Sequence, residues 1–175
     1  MLISLGLQGV NMAVAPMLSR LYSLGKLKEL QKVITLSSWV IMLIALPATL
    51  IFYLFGDQIL SVVFGSDYIV GHQALCILAF GQFVNASVGL VGSLLVMTGN
   101  EKASIKALIL AFITNMILNS ILIPDYGMNG AAFSSAASLL FWNLYMWFIA
   151  KNRLNIQTCA IVTAIKSSTL KMRGA

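Results

Sequence analysis

The chain has 175 residues, of which 59% are hydrophobic and only 9% are charged, and its mean hydropathy is +0.93. Because a soluble domain carries about a quarter charged residues, this composition excludes a soluble enzyme, a disordered chain and a disulfide scaffold. We therefore expect an integral membrane protein. The sequence contains no Walker, Rossmann, zinc or nucleophile-elbow pattern, so we expect no enzymatic activity, no cofactor and no metal site.

Five uncharged segments are long and apolar enough to cross a bilayer, which takes about 20 residues of helix. Backbone inside lipid must satisfy its own hydrogen bonds, so runs of this length are predicted helices rather than strands. The sequence predicts an all-α antiparallel bundle over residues 1–150, with a basic tail at 151–175 that is interfacial or disordered. The five predicted spans are 1–19, 33–55, 73–98, 107–123 and 128–149.

The charges separate by loop. All eleven Lys and Arg residues fall in the first and third connections and in the tail. In the second and fourth connections the only charged residues are Asp. The positive-inside rule makes the basic side cytoplasmic. The net charge of +6 is thus a sign of membrane topology, and nucleic acid is not expected as a partner.

This topology places the first residue outside and the C-terminus in the cytoplasm. The chain starts with an apolar segment that lacks the charged n-region and cleavage site of a signal peptide. We therefore expect a C-terminal fragment of a longer membrane protein. The alternative is an intact five-helix protein with its N-terminus outside.

Uncharged polar residues inside the predicted spans are the first candidates for function, because each needs a partner or a water-filled cavity in lipid. Asn115 and Asn119 are one helical turn apart, and Gln82 and Asn85 are at i and i+3, so each pair shares a face. These four residues either form hydrogen bonds between helices or line a hydrated transport cavity that binds substrate. Three further amides lie in predicted spans: Gln8, Asn11 and Asn143.

Two basic residues stand at the cytoplasmic ends of predicted spans. Arg20 closes the first span and Lys106 opens the fourth. Either side chain reaches lipid phosphate by snorkelling, or it binds an anionic headgroup of a substrate.

Small residues and one proline indicate how the helices pack. Gly130, Ser134 and Ser138 form a small-xxx-small stripe on the fifth span, and Gly89 is a small residue on the third span. We expect close helix packing at these positions. Pro47 lies in the middle of the second span and removes a backbone donor, which predicts a kink.

Three blocks of sequence carry a resemblance to a known family: APMLSRLYSLGKLKELQKV at 15–33, LPATLIFYLFGDQILSVVFGSDY at 46–68 and, most specifically, NMILNSILIPDYGMNGAAFSSAAS at 115–138. The ending KNRLNI at 151–156 adds to the likeness. In the order of these blocks the chain resembles the polysaccharide-exporting flippases of the multidrug/oligosaccharidyl-lipid/polysaccharide exporter superfamily, the O-antigen type in particular.

The resemblance implies a protein of about a dozen helices in two six-helix lobes, of which this chain would supply about the last five. It also implies a multi-pass protein of the cytoplasmic (inner) membrane that moves undecaprenyl-diphosphate-linked oligosaccharide by alternating access, as in O-antigen and lipopolysaccharide assembly. Its partners would be membrane lipid, the lipid-linked oligosaccharide, and polysaccharide polymerase and chain-length proteins. The chain departs from the family in having no Arg or Lys within its spans.

Two other functions stay open at this point. A cation-coupled multidrug exporter of the same superfamily would need a buried acid to bind Na⁺ or H⁺, and the five predicted spans have none. A non-transporting small membrane protein, or the remnant of a longer gene, would leave helix faces without their partners.

Overall fold

The computed structural model describes residues 2–154, with side chains from Gln8 onward, and all secondary structure in this part of the chain is helical. Three stretches are long and apolar enough to cross a membrane: Leu27–Phe64, Ser66–Val88 and Glu101–Leu154. The prediction of an all-helical, multi-pass membrane protein is thus confirmed, whereas the count of five spans is not. The elements are α1 (Leu2–Ser23), α2 (Leu27–Phe64), a 3-10 helix (Ser66–Gly71), α3 (His72–Val88), α4 (Val91–Met97) and α5 (Glu101–Leu154).

The 54-residue α5 folds back on itself at Gly127, where the backbone leaves the helical region with φ 52° and ψ −126°. The side chains of Asn115 and Ser138 are hydrogen-bonded at 3.2 Å, although 23 residues of straight helix would separate them by about 35 Å. Pro124 removes a backbone donor just before the turn, and glycine permits the positive φ. We name the two arms of this hairpin α5a (101–126) and α5b (128–154).

The prediction of one helix over 73–98 is wrong. α3 ends at Val88 and α4 begins at Val91, with Gly89 at φ 73° and ψ −137° between them. Only glycine adopts such a backbone conformation without strain. Gly89 therefore ends a helix, and its role in close helix packing stays a prediction.

α2 is longer than predicted at both ends, since it covers Leu27–Phe64 instead of 33–55. Its 38 residues span about 57 Å, against about 30 Å for the hydrocarbon core of a bilayer. The helix continues through Pro47. The kink at that residue stays a prediction.

The two ends of the bundle differ in charge. The basic end contains the α1–α2 and α4–α5a connections and the end of α5b, and Arg153 Nη1 there donates to Asn100 Oδ1 at 3.3 Å. The acidic end contains the α2–α3 connection and the turn at Gly127, and Asn129 Nδ2 there donates to Gln73 Oε1 at 2.9 Å. The separation of charge that the sequence shows by loop is thus a separation in space. Residues 155–175, most of the predicted basic tail, lie outside the described residues.

Candidate functional site

Three side-chain amides form a chain of hydrogen bonds between α3 and α5b. Asn143 Nδ2 donates to Asn85 Oδ1 at 2.9 Å, and Asn85 Nδ2 donates to Gln82 Oε1 at 3.3 Å. Asn143 Nδ2 also donates to the backbone oxygen of Leu139 at 2.8 Å. The structure therefore joins the predicted pair Gln82 and Asn85 to Asn143, which is buried with 3% of its surface exposed.

A second polar chain joins the two arms of α5. Asn119 Nδ2 donates to Asn115 Oδ1 at 2.9 Å, and Asn115 Nδ2 donates to Ser138 Oγ at 3.2 Å. The Ser138 hydroxyl itself donates to the backbone oxygen of Ser135 at 3.0 Å. The predicted pair Asn115 and Asn119 thus meets the small-residue stripe at Ser138, near the middle of both predicted spans.

The other members of the stripe keep the hairpin tight. A Cβ atom on Gly130 would overlap the backbone oxygen of Leu122, so only glycine fits where the arms approach one another. Ser134 is fully buried and its hydroxyl donates to the Gly130 oxygen at 2.8 Å, which satisfies this polar group within its own helix. The stripe faces α5a at Gly130 and Ser138.

These polar chains border two clefts. The Gln82 cleft has a volume of about 360 Å³ and lies between α3 and the two arms of α5, where Gln82 and Asn115 line it together with Ser135. The Asn143 cleft has a volume of about 200 Å³ and is lined by Asn85 and Asn143 with residues of α1 and α4. Leu139 and Trp142 line both clefts and therefore separate them.

The break in the third predicted span forms one wall of the Asn143 cleft. Gly89 and Leu90 line it, and the adjoining Ser93 hydroxyl donates to Asn11 Oδ1 of α1 at 2.9 Å. Discontinuous helices with exposed backbone beside a cavity near the membrane midplane are typical of secondary transporters.

Sequence reasoning did not single out Trp142, Ser93 or Ser135. Trp142 resembles the other aromatic residues of an apolar span, and nothing in its neighbourhood in the sequence marks it. The GS pair at 92–93 gives a weak signal, since small residues often mark close helix approach. Only the fold places these three side chains beside the amides.

The structure does not bring Arg20 and Lys106 to the clefts. Arg20 lies in the last turn of α1 and Lys106 in the second turn of α5a, and both side chains are exposed at the basic end. Neither lines the Gln82 cleft or the Asn143 cleft. Their role in substrate binding stays a prediction.

An apolar groove lies beside the Gln82 cleft, between α2, α3 and α5b. It has a volume of about 600 Å³ and is lined by Tyr53, Phe80 and Phe133 among others. Within the described residues, no group of three or more His, Cys, Asp or Glu side chains is placed to hold a metal ion. The chemistry that the described clefts offer is therefore hydrogen bonding and apolar contact.

Apolar membrane helices, a discontinuous helix and polar clefts inside the bundle are features typical of membrane transporters. A family model described as "Lipid II flippase MurJ" matches residues 1–172. The chain belongs to this MurJ family of flippases, which confirms the resemblance to polysaccharide flippases. Because flippases of this type are transporters, the prediction that the chain is not an enzyme is also confirmed.

Several relatives are similar over about three quarters of this chain. A "Probable low-salt glycan biosynthesis flippase Agl15" of Haloferax volcanii is 30% identical over 131 residues, 75% of this chain and 28% of that protein. An "Uncharacterized membrane protein MJ1068" of Methanocaldococcus jannaschii is 27% identical over 143 residues, 81% of this chain and 28% of that protein.

A "Capsular polysaccharide biosynthesis protein CapF" of Staphylococcus aureus is 26% identical over 129 residues, 74% of this chain and 33% of that protein. The chain thus spans about a third or less of the length of these curated relatives. No solved structure matches the chain.

Proposed function

We propose that this chain is part of a flippase that moves undecaprenyl-diphosphate-linked oligosaccharide across the cytoplasmic membrane by alternating access. The observation that carries the proposal is the pair of polar clefts inside the apolar bundle of a MurJ-family chain. Polar groups in the middle of membrane spans are costly and mark substrate pathways. The names of two relatives, a glycan biosynthesis flippase and a capsular polysaccharide biosynthesis protein, support a lipid-linked glycan as substrate.

The proposed topology has five spans, with α1 outside-to-inside and the two arms of α5 as the last two spans. The hairpin at Gly127 supports this count, because it divides the longest helix into two segments close to the predicted 107–123 and 128–149. The basic end is then cytoplasmic by the positive-inside rule, which puts the C-terminus inside. In this arrangement residues 1–150 form part of one lobe of a larger transporter.

Within this proposal the basic residues and the amides have different tasks. Arg20 and Lys106, exposed at the basic end, would attract the diphosphate where substrate enters from the cytoplasm. The uncharged clefts would hold the glycan deeper in the membrane. Polysaccharide polymerase and chain-length proteins would act on the product after transfer, in O-antigen or related polysaccharide assembly.

A liposome flipping assay tests the proposal. The full-length transporter that contains this chain is reconstituted with a fluorescent undecaprenyl-diphosphate oligosaccharide, and transfer is read as the fraction of label that an added reductant cannot quench. We expect protein-dependent transfer that falls at least about 10-fold in the Asn85→Ala variant, since one lost polar contact in a site is worth about 1.4 kcal/mol. The control is Thr114→Val, which removes an exposed hydroxyl that donates only to its own helix.

A second variant tests the proposed entry of substrate at the basic end. The double substitution Arg20→Ala with Lys106→Ala should abolish transfer, whereas Lys26→Ala, at an equally exposed basic position, should leave it unchanged. Normal transfer in the double variant would overturn the assignment of Arg20 and Lys106. An absence of any protein-dependent transfer would overturn the flippase proposal and favour a non-transporting membrane protein.

A further inference from the structure

The orientation of the amides around the Gln82 cleft is fixed by backbone carbonyl groups. A carbonyl oxygen can only accept a hydrogen bond. The Asn143 atom in contact with the Leu139 backbone oxygen must therefore be the amide nitrogen. The oxygen of Asn85 must then face Asn143, and its nitrogen must face Gln82. This leaves the Gln82 oxygen as the acceptor of the last hydrogen bond and turns the Gln82 NH₂ group away from Asn85.

The same reasoning orients the second chain. The Ser138 hydroxyl has one proton, which goes to the Ser135 carbonyl oxygen, so the Ser138 oxygen accepts from the Asn115 nitrogen. Asn115 uses one of its two N–H groups in this bond and its oxygen in the bond from Asn119. The other Asn115 N–H has no partner among residues 8–154, and Asn115 is one of the residues that line the Gln82 cleft.

The Gln82 cleft is therefore a hydrogen-bond donor site. Its polar residues offer the two N–H groups of Gln82, the second N–H of Asn115 and the Ser135 hydroxyl, none of which has a partner among residues 8–154. None of the described side chains that line the cleft carries a charge. A preferred ligand must bring oxygen acceptors without a formal charge, because an ion would be left without a counter-ion in the membrane interior.

Trp142 adds a flat wall to this cleft. Its indole N–H donates to Met146 Sδ at 2.8 Å, so the ring presents an apolar surface to the cleft. A saccharide ring has the complementary form, with a face of C–H groups and a rim of hydroxyl and acetamido oxygens. A volume of about 360 Å³ is within the range of small-molecule sites.

We propose that the Gln82 cleft binds the uncharged part of a saccharide through acceptor oxygens, with Gln82 as the principal donor and Asn143 as the residue that positions it. This inference rests on the proposed function for its choice of a glycan, and it assigns the diphosphate to a different place. Asn143 acts through Asn85, because it does not line the Gln82 cleft.

Fluorescence of Trp142 tests the proposal directly. The substitutions Trp39→Phe and Trp147→Phe leave Trp142 as the single tryptophan of the chain, and the protein in nanodiscs is titrated with N,N′-diacetylchitobiose. We expect a saturable change in Trp142 emission. Gln82→Met should raise the half-saturating concentration at least about 5-fold, as expected for a lost donor, whereas Gln58→Met, at an exposed glutamine of α2, should leave it within about 2-fold.

A second variant separates binding from folding. Asn143→Leu leaves the Gln82 cleft lining intact but frees the Asn85 and Gln82 amides to rotate, so the half-saturating concentration should rise about 2- to 3-fold, with helix content by circular dichroism unchanged. No saturable signal, or equal titrations for wild type and Gln82→Met, would overturn the proposal. An unchanged titration in Asn143→Leu would overturn the positioning role.

The last arm distinguishes the saccharide from membrane lipid, which also carries acceptor carbonyls. Nanodiscs of ester-linked and ether-linked phosphatidylcholine are compared without sugar. A Gln82-dependent difference between them, with no response to the disaccharide, would assign the cleft to lipid and overturn the saccharide. Disaccharide binding in a protein that does not flip would refute the proposed function alone, and flipping without Gln82-dependent binding would refute this inference alone.

Discussion

The two ends of the bundle are held together in different ways. At the basic end, residues of α1, α2, α3, α4 and both arms of α5 form one buried hydrophobic cluster, in which Leu18, Leu30 and Leu94 are fully buried. At the acidic end the helices are joined by polar pairs, His72 Nδ1 to Asp57 Oδ1 at 2.8 Å and Asn129 to Gln73. Regions with few buried apolar contacts open at lower free energy. The basic end is thus the fixed part of the molecule, and the acidic end is where helices separate most easily.

The largest effect should come from a close contact with backbone atoms in the acidic half, at Gly130. Gly130→Val places side-chain atoms against the Leu122 backbone oxygen, and we expect a loss of at least about 3 kcal/mol of stability, or failure to fold. Unfolding by sodium dodecyl sulfate in mixed micelles measures the free energy. Gly9→Ala is the control, because a Cβ there meets no atom within 4 Å. Equal stability of the two variants would show that the hairpin arms are not in contact.

The second largest loss of stability should come from the hydrophobic cluster at the basic end. Leu94→Ala removes a fully buried side chain, and we expect a loss of about 2 kcal/mol, at the low end for buried leucines because lipid replaces part of the lost apolar contact. Leu54→Ala, at a side chain that is 63% exposed, should change the same unfolding free energy by less than about 0.5 kcal/mol. A similar loss for both would contradict the contrast between a packed end and a lipid-facing surface.

The amide chain between the ends should have a smaller effect on stability. Asn143→Leu removes two hydrogen bonds, and since an intramembrane bond is worth about 0.6 kcal/mol on average, we expect a loss of about 1 kcal/mol. Thr114→Val provides the control, since its hydroxyl donates within its own exposed helix face. A loss as large as that of Leu94→Ala would mean that the amides, rather than the leucines, hold the bundle together.

The smallest effect should come from the pair of His72 with Asp57 and the pair of Lys26 with Glu29. A double-mutant cycle with His72→Ala and Asp57→Asn should give a coupling free energy of at most about 1 kcal/mol, because the Asp57 side chain is 53% exposed. The corresponding cycle for Lys26 and Glu29, a pair within one turn of the basic end, should give no more than that. A coupling free energy well above this range at His72 and Asp57 would show that polar contacts hold the acidic end firmly together. It would contradict the conclusion that the helices separate most easily at that end.

The sequence predicted those features that follow from composition and short-range spacing. The spacing of Asn115 and Asn119 placed them on one face, and they are hydrogen-bonded. The predicted spans left only residues 124–127 to connect the last two helices, and α5 reverses there, at Gly127. Both depend on neighbouring residues alone, which is why a single sequence was sufficient.

The features that the sequence did not predict depend on contacts between distant residues. Nothing in the run 73–98 shows that Gly89, rather than Gly81 or Gly92, ends the helix. Gly81 is helical and packs against Ala136, where an added Cβ would come within 2.9 Å. The joining of Asn143 to Asn85, 58 residues apart, likewise exists only after α3 and α5b have packed.

The abrupt reversal at Gly127 has a practical consequence for experiments that tag this protein. An epitope or protease site inserted there would separate Gly130 from Leu122, so the insertion itself would undo the fold that it was meant to report. The peptide bond between Gly65 and Ser66 is the better position, since both residues are exposed and lie just after α2. An insertion there keeps Gly65, whose φ of 103° favours glycine. A label at that bond would show which side of the membrane the acidic end faces while leaving the hairpin untouched.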